Sequence, residues 1–219
     1  MTETTNIYQK ILKDPILSMA FKHIVGKNTS NYAPYHHFHH MICVTKWSMI
    51  LAEDEDIQEG TTTWYELMLA SLFHDMNHSM GKTSDAENVE RSAEEYREFH
   101  KSKISFRSDV PINGHAVMGI INATQYPYVI DGADLNICQE IIRDADLLVS
   151  LEPDWFQNAF LGLMNEMGVE DISKMIAGQK AFHSGIQMRT DAGKILYKTN
   201  WQDQCIKTIE LLEDLYGND

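Results

Sequence analysis

Cysteine and long apolar segments are both scarce in this chain of 219 residues. Its three cysteines (Cys43, Cys138 and Cys205) are widely spaced and form no CxxC pair, so we expect reduced thiols in a cytoplasmic protein. The longest apolar run, 67–73, contains one serine and is far too short to cross a bilayer. The first ten residues, MTETTNIYQK, lack an apolar signal core, and we therefore expect no membrane association.

Positive charge is scarce as well, because 18 Lys and Arg face 32 Asp and Glu, which gives a formal net charge of −14. A chain with this balance is not expected to coat nucleic acid or to bind an anionic membrane surface. A small phosphorylated ligand remains compatible with it, since a metal ion or a few local cations can reverse the field inside one pocket.

Sustained strand alternation is also missing, and apolar residues recur at helical spacing along almost the whole chain. Apolar residues make up 43% of the chain and charged residues 23%, which is typical of a globular protein. We predict one all-α domain over 1–219, a bundle of six to nine helices. The predicted helical segments are 5–25, 35–51, 61–75, 84–100, 112–124, 134–150, 154–167, 171–188 and 192–216.

Histidine, in contrast, is abundant: the chain has ten, and five of them fall between His36 and His74. Histidine lowers helix propensity and is awkward in a core, so this clustering suggests a metal site or catalysis. If Tyr35 opens a helix, His36 and His40 lie one turn apart on the same face and can converge on an ion or a substrate. Half-buried structural histidines, or a surface cluster without a function, are the competing interpretations.

Two further polar motifs interrupt apolar helices. His74 and Asp75 close one such helix, and His78 follows four residues after His74. An imidazole and a carboxylate together suit Mn, Fe, Zn, Co or, less well, Mg. Asp144 and Asp146 interrupt a later helix, where an ionised carboxylate is costly unless it is paired or binds a cation. Asp144 can be a surface residue beside the preceding arginine, whereas Asp146 has apolar neighbours and is the stronger candidate ligand.

The order His, His-Asp, Asp resembles the signature of the HD superfamily of metal-dependent phosphohydrolases over about residues 32–150. Residues 35–40, YHHFHH, are similar to the first motif of cyclic-nucleotide phosphodiesterase catalytic domains. Residues 73–78, FHDMNH, are similar to the second motif of that family, although two intruding residues replace its Pro-Gly pair. Residues 145–147, ADL, are similar to its third motif.

A second resemblance is to bacterial predicted phosphohydrolases of the same superfamily. It is carried by residues 88–93, NVERSA, in which Val89 replaces a glutamate, and by residues 121–124 and 144–147. The superfamily implies a single HD-type helical domain whose pocket is completed by the helices of 151–219.

The resemblance implies a cofactor of one divalent ion, or two, drawn from Mn, Fe, Zn, Co, Ni and Mg. It also implies that the substrate is a small phosphate ester, most often a nucleotide monoester or a cyclic diester. Hydroxide generated at the metal would attack the phosphorus of this ester. His36 is implied as the general acid, His78 as the group that orients the hydroxide, and Asp75 as the bridge to a second ion. The implied metal ligands are His40, His74, Asp75 and Asp146.

Residues that contact the substrate are implied less directly. Lys82 and Arg91 are the basic residues nearest in sequence to the His-Asp loop. His115, at the start of a helical segment, is either a second-metal or substrate residue or a helix cap. Gln179 and Phe182 resemble the glutamine and phenylalanine that hold the purine in cyclic-nucleotide phosphodiesterases.

Two other functions compete with hydrolysis. A metal or nucleotide sensor would keep the ligands but would not need a general acid such as His36. A di-iron oxygenase on the same fold would need six or more protein ligands. A homo-oligomer is compatible with either function and with hydrolysis.

Overall fold

The backbone is helical in every regular segment of the computed structural model, which describes residues 3–104, 110–130, 132–201 and 205–216. The prediction of an all-α fold is confirmed for these residues, which contain no β-strand. Their eleven α-helices are α1 (Glu3–Lys13), α2 (Pro15–Lys27), α3 (Phe38–Asp54), α4 (Thr62–Phe73), α5 (Asp85–Phe99), α6 (Gly114–Asn122), α7 (Ile137–Leu148), α8 (Gly162–Glu166), α9 (Ile172–Gly185), α10 (Asp191–Trp201) and α11 (Lys207–Tyr216). Short π-helical segments cover His100–Ile104 and Phe156–Leu161, and 3-10 turns cover Gly132–Asp134 and Val149–Leu151.

The predicted count of six to nine helices is wrong for the described residues, because two long predicted segments are each divided. The segment 5–25 breaks at Asp14, whose carboxylate caps α2 by accepting from Ile16 N and Leu17 N while Pro15 opens the new helix. The segment 192–216 becomes α10 and α11, and residues 202–204 between them lie outside the described residues.

The third helix begins later than predicted, at Phe38 instead of Tyr35. His37 is its N-cap, and the ring nitrogen Nδ1 of His37 accepts from His40 N at 3.3 Å. Glu166 accepts from the backbone N–H groups of Tyr35 and His36, which holds both residues outside the helix. His36 therefore does not share a helix face with His40, and any proximity between them has another origin.

Buried apolar side chains form two clusters among the described residues. The larger cluster contains residues from each of the first seven helices, α1 through α7. Within it, α3 packs against both α4 and α7. The smaller one lies in the later part of the chain and contains Trp155, Phe160, Ile176 and Ile209. None of the helices in the described part of the chain has both the length and the apolar character needed to cross a membrane.

Gly162, the first residue of α8, lies very close to the backbone of Pro34. A Cβ atom added there would lie 2.7 Å from the carbonyl oxygen of Pro34 and 3.4 Å from the Cβ of Tyr35. Glycine is thus the residue that lets α8 approach the segment leading to His36.

We predict that Gly162→Ala destabilises the protein by about 1–3 kcal/mol, because the methyl group meets a backbone carbonyl that cannot rotate away. Gly178→Ala is the matched control, since its added Cβ in α9 has no atom within 4 Å. That control should be neutral or stabilise by about 0.5–1 kcal/mol through helix propensity. Chemical unfolding measures both changes, and equal behaviour of the two variants would contradict the close contact.

Candidate metal centre

Four side chains from three helical elements converge at one point. His40 comes from α3, His74 and Asp75 follow the last turn of α4, and Asp146 comes from α7. The Nε2 atom of His40 lies 3.1 Å from Asp75 Oδ2, 3.1 Å from Asp146 Oδ1 and 3.2 Å from His74 Nε2. His74 Nε2 lies 3.1 Å from Asp75 Oδ2 and 3.9 Å from Asp146 Oδ1.

These separations fit the donor atoms of one divalent ion. With ligand distances of about 2.1 Å, neighbouring donors are about 3.0 Å apart in an octahedral site and about 3.4 Å apart in a tetrahedral one. Two imidazole nitrogens and two carboxylate oxygens suit Mn, Fe, Co, Ni or Zn. This buried group of His40, His74 and Asp146 could hold a metal ion, with Asp75 adjoining both histidines.

The centre is closed on the histidine side and open on the carboxylate side. The side chains of His40 and His74 are 2% and 1% exposed, whereas those of Asp75 and Asp146 are 15% and 34% exposed. An ion held here would keep coordination positions facing solvent, as ions in catalytic sites do.

The electrostatics of the centre favour a cation between its two carboxylates. Burial by itself lowers the pKa of His40, but hydrogen bonds with Asp146 and Asp75 raise it to about 10. Burial raises the pKa of the Asp75 carboxyl, yet the nearby His74 and His36 rings hold that pKa well below its usual range. Without an ion the imidazoles supply the positive charge as protons, which a divalent cation would replace.

Backbone and side-chain contacts hold the His-Asp turn in place. His74 Nδ1 donates to the Ser71 carbonyl at 2.9 Å, which leaves Nε2 free to act as a ligand. Asn77, two residues after Asp75, has a φ of 63°, a left-handed conformation that asparagine tolerates. Asn28 accepts from Asn77 N at 2.8 Å, and Arg91 donates to the Asn77 carbonyl at 3.0 Å. Arg91, predicted as a substrate contact, thus braces this turn.

A second polar cluster adjoins the centre and depends on Glu166, the last residue of α8. Its Oε1 accepts from His36 Nδ1 at 2.6 Å and lies 3.3 Å from His78 Nδ1. Its Oε2 accepts from the backbone N–H groups of Tyr35 and His36. Burial raises the pKa of Glu166, but its bonds with His36 and His78 outweigh that effect and keep the carboxyl ionised.

The two rings of this cluster are stacked, with centroids 3.7 Å apart and planes 27° from parallel. Nitrogen atoms of His36 and His78 and an oxygen of Glu166 are close enough to hold an ion. The lone pairs of nearly parallel stacked rings do not converge well on one ion, however. The short His36–Glu166 bond therefore indicates a pair that orients an imidazole and holds a proton. The centroids of His36 and His40 are 5.9 Å apart, which places that imidazole beside the centre.

Other predicted substrate residues lie at more varied positions. Lys82 is exposed, in the loop that follows His78. His115 is exposed at the start of α6. The neighbouring Asn113 N donates to Glu66 Oε1, in the first half of α4, whereas His74 follows the end of that helix. His115 therefore lies near the opposite end of α4 from the centre. Gln179 is buried in α9, while Phe182 is 38% exposed and packs edge-on against Tyr126.

Asp144 lies away from the centre and has a structural role. Its carboxylate is fully buried and accepts from Arg189 N, Thr190 N and Thr190 Oγ1 at 2.8–3.0 Å. These contacts anchor the start of α10 to α7. The interpretation of Asp144 as a surface residue is therefore wrong, because its carboxylate is buried and accepts from three donor groups.

Comparisons of this chain with protein-family models, curated proteins and solved structures find no match. The interpretation of the centre accordingly depends on its geometry. Glu166 was not among the sequence candidates, because an acidic residue in the segment LMNEMG carries no local signal. Its role becomes visible only through its contacts with residues 130 positions earlier.

We predict that Asp146→Ala abolishes tight binding of a divalent ion, whereas Asp144→Ala retains it. Asp146 supplies a donor atom to the centre, and removing a ligand should cost more than the roughly 10–100-fold lost with an outer partner. Asp144→Ala should instead lower the free energy of unfolding by about 2–4 kcal/mol, because it leaves buried donors unpaired. Metal analysis and chemical unfolding of both variants test the distinction, and loss of the ion from Asp144→Ala would reverse it.

Proposed function

We propose that this protein is a divalent-metal-dependent hydrolase of small phosphate esters. The observation that carries the proposal is the His36–Glu166 pair placed directly beside a four-residue metal donor set. Metal ligands alone would serve a storage or sensing site equally well. An oriented, partly exposed imidazole beside them is the further element that hydrolysis requires.

A divalent ion held by His40, His74, Asp75 and Asp146 would supply Lewis acidity toward a phosphoryl oxygen and would acidify water at neutral pH. The buried sides of the two histidines exclude water from one half of the centre. The open carboxylate side leaves a path for the ester. Because the chain carries a net charge of −14, the ion would also provide the local positive charge that a phosphate needs.

His36 is the group we assign to the leaving oxygen. Its Nδ1 proton is donated to Glu166, so the ring is fixed and its Nε2 atom is left to hold and release a second proton. With 22% of its side chain exposed, His36 is reachable by a bound ester.

His78 has a supporting place in the same assembly. Asn88 Nδ2 donates to His78 Nε2 at 2.9 Å, and His78 stacks on His36. Asn88 Oδ1 accepts from Ser79 N, which fixes the orientation of the amide. His78 thus limits the movement of the His36 ring and shares its carboxylate.

The exposed aromatic pair of Tyr126 and Phe182 supports an ester that carries a planar group, such as a nucleotide. Tyr126 N donates to Asp85 Oδ2 at 2.6 Å, and Asn88, one turn further along the same helix, donates to His78 Nε2 at 2.9 Å. The pair therefore lies in the neighbourhood of the centre, and stacking on such rings is typical of base recognition.

We predict that His36→Ala keeps its metal but loses about 10²–10⁴-fold in turnover of a sugar phosphate or nucleotide. The loss should be much smaller for an activated phenyl phosphate, because a phenolate of low pKa departs without a proton. Phosphate-release kinetics on both substrate types, with metal analysis, provide the measurement. Equal losses would show that His36 positions the phosphate, and an ion-free variant would make it a ligand.

Glu166→Gln supplies the companion prediction. Its amide can still accept from the backbone of Tyr35 and His36, so the fold should persist. The amide nitrogen that replaces Oε1 cannot accept the Nδ1 proton of His36, so the ring loses the partner that orients it. Turnover of a sugar phosphate or nucleotide should fall while the metal is retained, which phosphate-release kinetics and metal analysis measure. A purified, metal-loaded protein that releases no phosphate from any ester tested would instead identify a sensor.

A further inference from the structure

Each imidazole of the centre must carry its proton on Nδ1 if Nε2 is to bind an ion. His74 meets this requirement within the backbone, since its Nδ1 donates to the Ser71 carbonyl at 2.9 Å. His40 does not, because its buried Nδ1 has no hydrogen-bond partner among the described residues. A buried donor left unpaired is unfavourable, so an acceptor for His40 is needed.

A small, partly open cavity adjoins His40 and offers room for that acceptor. The centre of a water-sized sphere has about 10 Å³ in which to move there, which is about the room that one water molecule needs. Tyr35, Cys43, Asp154 and Glu152 contribute to its walls. The cavity can therefore hold one water beside His40 and the polar residues of its wall.

Glu152 is the wall residue best suited to complete the contact. Its side chain is 7% exposed, and its buried Oε1 has no aligned hydrogen bond, although Lys46 Nζ lies 2.6 Å away as an ion pair. Cys43 Sγ faces the ring of His39 instead, at 3.6 Å from its Nε2. Asp154 is half exposed and accepts from Asn158 at 2.5 Å.

We propose that a water in this cavity accepts from His40 Nδ1–H and donates to the Glu152 carboxylate. Glu152 is then a positioning residue that holds His40 in the tautomer a metal requires. Histidine ligands commonly donate their second N–H to a carboxylate or a water, and this arrangement uses both. The inference depends on the metal centre of the proposed function, though not on its hydrolytic activity.

The test measures the dissociation constant for Zn²⁺ by competition with a chelator, in the full-length protein. Lys46→Met removes the ion pair and keeps the carboxylate, whereas Lys46→Met/Glu152→Met removes both. We expect the double variant to bind Zn²⁺ about 10–100-fold more weakly than Lys46→Met, because only the double variant leaves His40 without its acceptor. Asp154→Asn, which alters the exposed carboxylate of the same cavity, should bind as the wild type does.

Thermal unfolding of the metal-free variants separates metal affinity from folding. If the double variant does not fold, Glu152→Ala replaces it and is compared with wild type; it should weaken Zn²⁺ binding in the same direction, because it also removes the acceptor. Equal Zn²⁺ affinity of Lys46→Met and the double variant would overturn the role of Glu152, even if the protein hydrolyses esters. Tight Zn²⁺ binding without hydrolysis would overturn the proposed function and leave this inference standing. A wild type that does not bind Zn²⁺ would overturn both.

Discussion

The approach of two carboxylates to two buried imidazoles is the constraint on which the rest of this structure depends. Placing His40 and His74 in the interior is costly unless a cation or shared protons balance Asp75 and Asp146. The surrounding polar contacts are arranged to hold those four groups in place. Ser71 fixes the tautomer of one ring, and Asn28 and Arg91 brace the turn beyond the His-Asp pair.

The helix α8 is joined to the site by the Glu166 carboxylate. Glu166 accepts from three groups of the earlier part, two on the backbone and one on the His36 ring, and it lies 3.3 Å from the His78 ring. Its bonds to the backbone of Tyr35 and His36 also keep these residues out of α3. The His36 ring is therefore positioned by a loop and not by a helical turn. The close approach at Gly162 makes this contact possible. Movement of α8 would therefore change the orientation of His36 directly.

Local patterns in the sequence were good guides to the helices and poorer guides to their ends. Apolar periodicity predicted an all-α protein, and the described residues are helical in every regular segment. It did not predict the break at Asp14, because a capped restart continues nearly the same apolar stripe. It also placed the start of α3 at Tyr35, since the backbone bonds to Glu166 that prevent a helix there are contacts with a distant segment.

The sequence by itself determined the helical class and brought His40, His74, Asp75 and Asp146 to attention, because polar residues that interrupt apolar helices are costly and need a reason. Only the tertiary structure decided that these four side chains meet, that Asp144 instead anchors α10, and that Glu166 pairs with His36. Periodicity reports which residues face a helix's own core, over spans of a few turns. Convergence of side chains from separate helices depends on packing between them, which no local pattern records.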